Sequence, residues 1–270
     1  MTPKISGIGK KERTFLALLL KANLPAITAK NTSEILEITQ ARALQILSLL
    51  AKKGWLSRVK QGIYTPVPLQ SENPNVMVDE PWVLAKALFE PCYIGGWSAG
   101  EYWGFTEQIF NSIMVFSTKK IHEHEMHLKG ANFTVKTIKK ERMFGLKNIW
   151  QGRHKVLISD PTKTIIDAFN DPAVVGGIRM SIDLLSLYLK SEHKNLQLLL
   201  DYGLQMKNTA VFKRLGFCFE KNNHYESDYL EKMRAQIKSG YSQLDPSSPG
   251  ESLITAWNLW VPTIWKRGIS

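Results

Sequence analysis

Hydrophobic residues recur at helical spacing between residues 39 and 54, in the stretch TQARALQILSLLAKKG. The apolar side of this predicted helix carries Ala43, Leu44, Ile46, Leu47, Leu50 and Ala51. Arg42, Gln45 and Ser48 fall three apart on the opposite side, with Gln40 ahead of them in the first turn. A threonine N-cap, two lysines in the last turn and a following glycine set the ends of the helix. The pattern predicts an amphipathic helix with one buried and one polar face.

The segments before and after this helix predict further helices and strands in an order that is known from other proteins. Residues 10–21 predict a first helix whose inward side carries Phe15, Leu16, Leu18 and Leu19. Residues 28–36 predict a short second helix, and residues 37–39 predict the turn that leads into the third. Two β-rich runs follow at residues 55–60 and 63–67 and are joined by a Gln-Gly turn. Three helices and a hairpin in this order are typical of a winged helix-turn-helix domain, which we assign to residues 1–70.

A polar, turn-forming stretch at residues 70–75 marks the predicted domain boundary, so the second domain spans residues 76–270. Predicted strands there are residues 112–117, 131–138 and 153–158. Predicted helices are residues 81–89, 160–169, 177–190, 195–205, 209–219 and 226–237. We expect the tryptophan-rich end near residues 257–262 to return as a strand against the sheet. The fold class is therefore α+β (mixed): an N-terminal winged helix-turn-helix, then a larger α/β domain with a mixed sheet and a helical layer.

The distribution of charged residues along the chain indicates which kind of partner the N-terminal domain binds. The chain has a net charge of +11, and residues 1–70 hold eleven Lys or Arg against three acids, so +8 of the excess lies there. Such a local excess of positive charge suits contacts with DNA phosphates. Gln and Arg side chains pair with adenine and guanine edges in the major groove. The candidate DNA-binding residues are Lys30, Thr39, Gln40, Arg42, Gln45, Ser48, Lys52, Arg58, Lys60 and Gln61.

Composition restricts the other classes of function. The chain has two cysteines, Cys92 and Cys218, which are too few for a disulfide framework and do not have zinc-ligand spacing. Neither a signal peptide nor a run of apolar residues long enough to cross a membrane is evident, so we expect a cytoplasmic protein without a membrane partner. No P-loop motif occurs either. We predict no cofactor, no metal and no enzymatic activity.

Three local patterns could nevertheless carry chemistry. Gly96-Trp-Ser98-Ala-Gly100 matches the G-x-S-x-G pattern of hydrolases, although Ser98 is explained more simply as a helix N-cap. His122, His124 and His127 could hold a metal, or they could belong to a solvated connection between strands. Asp160 and Lys163 could belong to a nuclease-like core, while we expect Asp167 on the polar face of its helix. A nuclease-like enzyme and a protein-binding winged-helix adaptor therefore stay open as alternatives.

The chain resembles the AbiE-type antitoxins, the transcriptional regulators of type IV toxin-antitoxin systems. The resemblance rests on ARALQILSLLAKKGWL at residues 41–56 and Gly62-Ile-Tyr64, on YIGGWSA at residues 93–99, and on SDPTKTIID at residues 159–167 followed by Gly176-Gly177. These motifs occur in the family's order over residues 10–220, and the end beyond Leu244 fits more loosely.

The resemblance implies an antitoxin used in abortive infection, a form of phage defence, with two tasks. The winged helix would bind inverted repeats in double-stranded DNA upstream of its own operon and repress it. The larger domain would counter a cognate nucleotidyltransferase toxin, without a stable complex being required. The chain itself has no Gly-Ser dipeptide and no Asp-x-Asp or Asp-x-Glu pair of the kind that such a toxin uses. It is therefore expected to be the antitoxin partner.

Overall fold

The computed structural model describes residues 6–24, 26–67, 80–221 and 227–266. It confirms a mixed α+β fold with helices, two small sheets and one six-stranded mixed sheet. The predicted domain boundary at residues 70–75 lies outside the described residues. We refer to residues 6–67 as the N-terminal module and to residues 80–266 as the C-terminal region. In the described parts of the chain, no helix is both long and apolar enough to span a membrane.

The N-terminal module has the predicted order of three helices and a hairpin. Its elements are α1 (Lys10–Lys21), β1 (Ile27–Thr28), α2 (Ala29–Leu36), α3 (Gln40–Lys52), β2 (Leu56–Lys60) and β3 (Ile63–Pro66). The three strands form an antiparallel sheet in the order β1-β3-β2. This is the arrangement of a winged helix, in which β2, β3 and their connecting turn form the wing.

Local chemistry fixes the ends of α2 and α3. The Thr28 hydroxyl accepts a hydrogen bond from the Asn31 N–H and caps α2. The turn between α2 and α3 requires a residue in the left-handed backbone conformation, and Glu37 adopts it with φ 52°. The Thr39 hydroxyl then accepts a hydrogen bond from the Arg42 N–H at 3.3 Å and starts α3, as predicted. Because each cap satisfies an N–H that would otherwise lack a partner, the helix-turn-helix is set largely by residues near in sequence.

The core of the module confirms most, but not all, of the predicted inward positions. Leu16 and Leu19 of α1 and Leu47 and Leu50 of α3 are buried. Leu18 and Leu44 were predicted to face inward, and this is wrong, because they are 41% and 43% exposed. The reason is geometric for Leu44: at roughly 100° per residue it lies about 110° from the centre of the buried face of α3.

The C-terminal region is built on a six-stranded sheet. Its first elements are α4 (Pro81–Phe89), β4 (Cys92–Ile94), α5 (Gly96–Tyr102), β5 (Ile113–Ser117), β6 (Glu125–Leu128), β7 (Ala131–Thr137), β8 (Leu146–Gln151) and β9 (His154–Ser159). The strand order is β6-β7-β5-β4-β9-β8. The pairs β4–β9 and β5–β7 are parallel and the other pairs are antiparallel. The predicted strands are thus confirmed as β5, β7 and β9, whereas the pattern missed β4, β6 and β8.

A helical layer and a second small sheet follow. The helices are α6 (Pro161–Asn170), α7 (Ile178–Lys190), α8 (Leu196–Met206), α9 (Ala210–Lys221) and α10 (Ser227–Ala235). The end of the chain forms β10 (Ser242–Gln243), β11 (Ser252–Ile254), β12 (Leu259–Val261) and α11 (Thr263–Lys266). The expectation that this end joins the main sheet is wrong, because β12 pairs with β10 and β11 in a separate sheet.

Two hydrophobic clusters lie on opposite faces of the main sheet. Tyr93 and Met114 face the helical layer of α6 to α9. Ile94 and Val115, the next residues along the same strands, pack in the cluster that contains α4. This alternation follows from the period of two along a β-strand. The sheet is therefore buried on both faces where its central strands lie.

The wing of the N-terminal module packs against the C-terminal region. Lys129, in the turn between β6 and β7, donates a hydrogen bond from Nζ to the Ser57 hydroxyl of β2. Val59 and Ile63 of the wing pack against the hydrophobic cluster on the α4 face of the main sheet. These contacts hold one side of the wing and so fix its orientation relative to the sheet.

Candidate nucleic-acid interface

The structure places every predicted DNA-binding residue at the surface of the N-terminal module. Five lie on α3 and one caps it, one lies on α2, and three lie on the wing. All of the following are exposed: Lys30, Thr39, Gln40, Arg42, Gln45, Ser48, Lys52, Arg58, Lys60 and Gln61. Exposure on one helix and the adjoining wing is the arrangement that a winged helix needs to contact a major groove and its flanking phosphates.

The outward face of α3 has an order that follows from helix geometry. Its buried face centres on Leu50, so the most outward residues are those on the opposite side of the helix, and Gln45, Ser48 and Lys52 lie there. Arg42 flanks this row, and its guanidinium donates a hydrogen bond to the Gln45 side-chain oxygen at 2.9 Å. Such an Arg-Gln pair presents several donors in a limited range of orientations, and both side chains can pair with purine edges.

The wing places its positive charges on the side away from the C-terminal region. Ser57 and Val59 contact that region, whereas Arg58 and Lys60 are exposed. Gly62 completes the turn with φ 76°, a conformation that favours glycine. The contacts that hold the wing therefore leave its cationic side chains available for phosphates.

The N-terminal module contains three acidic residues in two different environments. One is neutralised by a lysine, and the other two lie near the start of α3. Glu12 forms a 2.5 Å ion pair with Lys53. The hydrogen bonds from Lys53 and from the Gly9 N–H lower the pKa of Glu12. Glu34 and Glu37 line a shallow cavity between α2 and α3 together with Arg42. Carboxylates disfavour phosphate but accept hydrogen bonds from the amino group of cytosine, so this cavity suits a base edge better than a phosphate.

The G-x-S-x-G pattern does not form a nucleophile elbow in the structure. Ser98 lies inside α5 and is buried, and its hydroxyl accepts a hydrogen bond from the Met114 N–H at 3.0 Å. The N-cap of α5 is Gly95, so the prediction that Ser98 caps the helix is also wrong. Ser98 instead ties α5 to the neighbouring strand β5.

The histidines near β6 each bind a separate protein group. The Nδ1 atom of His124 lies 2.9 Å from the Val135 carbonyl oxygen, and that of His127 lies 2.6 Å from the Asn132 side-chain oxygen. Among the described residues, no group of three or more His, Cys, Asp or Glu side chains is placed to hold a metal ion. The Ile121–His127 stretch is also not only a connection, because β6 begins at Glu125.

The largest departure from expectation is a buried charged cluster on α6. Asp160 caps the helix, since its carboxylate accepts a hydrogen bond from the Lys163 N–H at 2.7 Å, and it also accepts one from the Tyr202 hydroxyl at 2.9 Å. Asp167 was expected on a polar face, and this is wrong: it is 3% exposed and forms an ion pair with the fully buried Lys163. The Tyr93 hydroxyl donates to the other carboxylate oxygen of Asp167 at 2.9 Å.

The environment of this cluster is apolar and closed. The ammonium group of Lys163 lies 4.7 Å from the centre of the Phe144 ring and 5.6 Å from that of Tyr93. Burial and the nearby Asp167 carboxylate raise the pKa of Tyr93 well above its ordinary value. A sequence signal for the pair did exist, because Lys163 and Asp167 are four residues apart and so lie on the same side of a helix.

Comparison with protein-family models and with curated proteins finds no match. Among solved structures, the crystal structure of the RV2827C protein from Mycobacterium tuberculosis is similar, with a TM-score of 0.62. The two chains share 11% sequence identity, and the alignment covers 95% of this chain and 93% of that chain. At this identity the similarity concerns the fold, and it spans both the N-terminal module and the C-terminal region.

Proposed function

We propose that this protein is a DNA-binding transcriptional regulator that contacts double-stranded DNA through α3 and the wing. The observation that carries the proposal is the joint exposure of the Arg42-Gln45 pair on α3 and of Arg58 and Lys60 on the adjoining wing. The first pair has the donors and acceptors that base edges require, and the second has the charge that phosphates require. The concentration of +8 of the chain's +11 net charge in residues 1–70 supports the same partner.

The proposal extends to the antitoxin role that the sequence resemblance implies. The regulator would repress its own operon, and the C-terminal region would counter a nucleotidyltransferase toxin encoded beside it. In that arrangement the two tasks depend on different surfaces of one chain. Substitutions on α3 should therefore abolish repression and leave protection against the toxin intact.

The experiment is a fluorescence-anisotropy titration of the full chain on DNA from upstream of its own gene, at several salt concentrations. We expect binding with a steep salt slope and a preference over unrelated DNA of equal length. Co-expression with the neighbouring toxin gene tests the second task through cell growth. Absence of DNA binding would contradict the regulator, while DNA binding without protection would contradict only the antitoxin role.

A nuclease-like activity draws no support from the residues that suggested it. The Asp160 carboxylate accepts hydrogen bonds from the first turn of α6 and from the Tyr202 hydroxyl. Lys163 is fully buried and forms an ion pair with Asp167. A side chain that catalyses phosphodiester hydrolysis must be able to reach the phosphate. We therefore assign Asp160 and Lys163 to the stability of the C-terminal region. The protein-binding adaptor is tested by the same titration, because it requires a winged helix without DNA affinity.

A further inference from the structure

One tryptophan of the C-terminal region is exposed without an evident packing role. All eight tryptophans of the chain lie in the described residues, and Trp150 is the one whose side chain falls in the exposed range, with 66% of its surface accessible. It lies on β8, opposite Lys155 of β9, whose ammonium group is 5.0 Å from the centre of the indole ring. An exposed indole next to a cationic side chain offers a flat face on which a planar ring can stack.

The charge around Trp150 restricts the nature of that ligand. The hairpin formed by β8 and β9 contains Lys147, Arg153 and Lys155, all exposed, and residues 146–159 include no acid. The nearest carboxylate at the turn is that of Glu80, which lies beside Gly152. A positively charged hairpin that carries an exposed aromatic ring complements a polyanion with flat rings.

A small cavity continues this surface toward α4. It has a volume of about 220 Å³ and is lined by Asn148 and Lys155 of the hairpin and by Lys86 and Glu90 near the end of α4, among others. The Lys86 ammonium group donates a hydrogen bond to the Lys155 carbonyl oxygen at 2.9 Å. The cavity therefore offers amide, ammonium and carboxylate groups beside Lys155, the residue opposite Trp150 on the hairpin, and these groups can bond to the polar edge of a base.

This surface is distant from the DNA-binding face of the N-terminal module. The wing packs against the turn between β6 and β7, whereas β8 forms the opposite edge of the six-stranded sheet. Five strand spacings separate β6 from β8, which is roughly 24 Å. A ligand on the hairpin thus occupies a second site and does not compete with DNA on α3.

We propose that the β8–β9 hairpin binds single-stranded nucleic acid. A base stacks on Trp150, and Arg153 and Lys155 contact the flanking phosphates. Single strands expose the faces of their bases, which duplexes hide in the stack, so a lone exposed indole selects the single-stranded form. Neither stacking nor phosphate contact depends on the sugar, so RNA and DNA bind alike.

The test is an anisotropy titration of the full chain with fluorescein-labelled oligothymidylate and oligouridylate of about 12 nucleotides. Trp150→Ala is expected to weaken binding of both between about 5-fold and 150-fold. Trp150→Phe, which keeps an aromatic face, should retain most of the affinity. Arg153→Ser combined with Lys155→Ser should reduce the slope of log affinity against log salt by about 1.4.

Two controls separate the hairpin from general charge and hydrophobicity. Tyr241 is another exposed aromatic residue, 62% accessible, and Lys120 is an exposed lysine in a loop after β5. Tyr241→Ala and Lys120→Ser should leave oligothymidylate binding unchanged. Far-UV circular dichroism and thermal melting verify that each variant folds, which is expected because Trp150 contributes little to the core.

The outcomes also separate this proposal from the regulator. Trp150→Ala should leave affinity for the upstream duplex unchanged, and Arg42→Ala should leave affinity for oligothymidylate unchanged. The proposal is overturned if the wild-type chain does not bind either oligomer, if binding is insensitive to Trp150, or if only one sugar is bound. It is also overturned if Trp150→Ala changes only self-association, because β8 would then be an edge at which two copies meet.

Discussion

The polar side-chain pairs of α3 and of α6 have opposite environments. On α3, Arg42 and its partner Gln45 are both exposed, so both can exchange their mutual hydrogen bond for one to a ligand. On α6, Lys163 and Asp167 are buried and satisfy each other together with Tyr93. The exposed pair contributes little to folding and is available for binding. The buried pair is unavailable for binding, and folding depends on keeping it intact.

The largest effect that would test this contrast is Lys163→Ala. Removing one partner leaves the Asp167 carboxylate buried with only the Tyr93 hydroxyl, so we expect the free energy of unfolding to fall by about 3–5 kcal/mol. Urea denaturation of the full chain measures the change. The double variant Lys163→Met with Asp167→Leu removes both charges at similar volume and should recover most of the loss. A double variant as unstable as the single one would contradict the view that the loss comes from leaving the Asp167 carboxylate buried without its partner.

Arg42→Ala addresses the other side of the contrast. We expect affinity for the upstream duplex to fall by about 1–3 kcal/mol and specificity at one base position to relax, because a donor to a base edge is lost. The free energy of unfolding should change by no more than about 0.5 kcal/mol, as is usual for a surface site. Arg13→Ala is a matched control, since Arg13 is exposed on α1 outside the proposed interface. An equal loss of affinity in both variants would contradict the assignment of Arg42.

The buried carboxylate of Asp245 makes a contribution to stability that depends on pH. Its carboxylate accepts hydrogen bonds from the Ile178 N–H at the start of α7 and from the Ser247 hydroxyl and N–H. Burial acts to raise the pKa of Asp245, but these hydrogen bonds and the positive charge of Arg214 together outweigh it and hold the pKa below its ordinary value. We expect Asp245→Ala to cost about 0.5–2 kcal/mol of stability, the usual value of a helix cap.

The sign of the pH dependence follows from the lowered pKa. The stabilisation is complete above the unfolded-state pKa of about 3.9 and is lost as the pH falls through the lower folded-state pKa. Thermal melting of the wild type and of Asp245→Asn between neutral and acid pH measures it. The difference in stability between the two proteins should shrink as the pH falls below about 4. A difference that grows on acidification would contradict a lowered pKa.

The smallest expected effect is that of Lys60→Ala on the wing. A lysine that contacts a phosphate carries no sequence information, so we expect affinity to weaken to a similar extent for specific and unrelated duplexes. The slope of log affinity against log salt should decrease by about 1. Lys190→Ala, at an exposed position of the C-terminal region, is the control. A change in specificity would place Lys60 against a base and revise the geometry of the wing.

Much of the fold could be predicted from the sequence because its signals are local. The caps Thr39 and Asp160, the proline that starts α4 and the spacing of leucines in α3 lie within a few residues of the structure they set. The strand β4 was missed because it has only three residues, and β6 and β8 were missed because their burial patterns mix exposed, intermediate and buried positions. Both β6 and β8 are edge strands of the sheet, whereas strands buried on both faces are recognised by a near-continuous run of apolar residues.

Helix period, capping and turn residues were enough to predict the order of the three helices and the hairpin in the N-terminal module and the exposed polar residues of α3. Three features depend on how segments pack together: Asp167 is buried, Ser98 ties α5 to β5, and the chain end forms its own sheet. For Asp167 the deciding partner, Tyr93, lies 74 residues away, and for Ser98 it is Met114, 16 residues away. The chain end instead pairs with the strands β10 and β11 that directly precede β12. A local pattern specifies which side of an element is polar, whereas the packing of distant segments decides whether water reaches it.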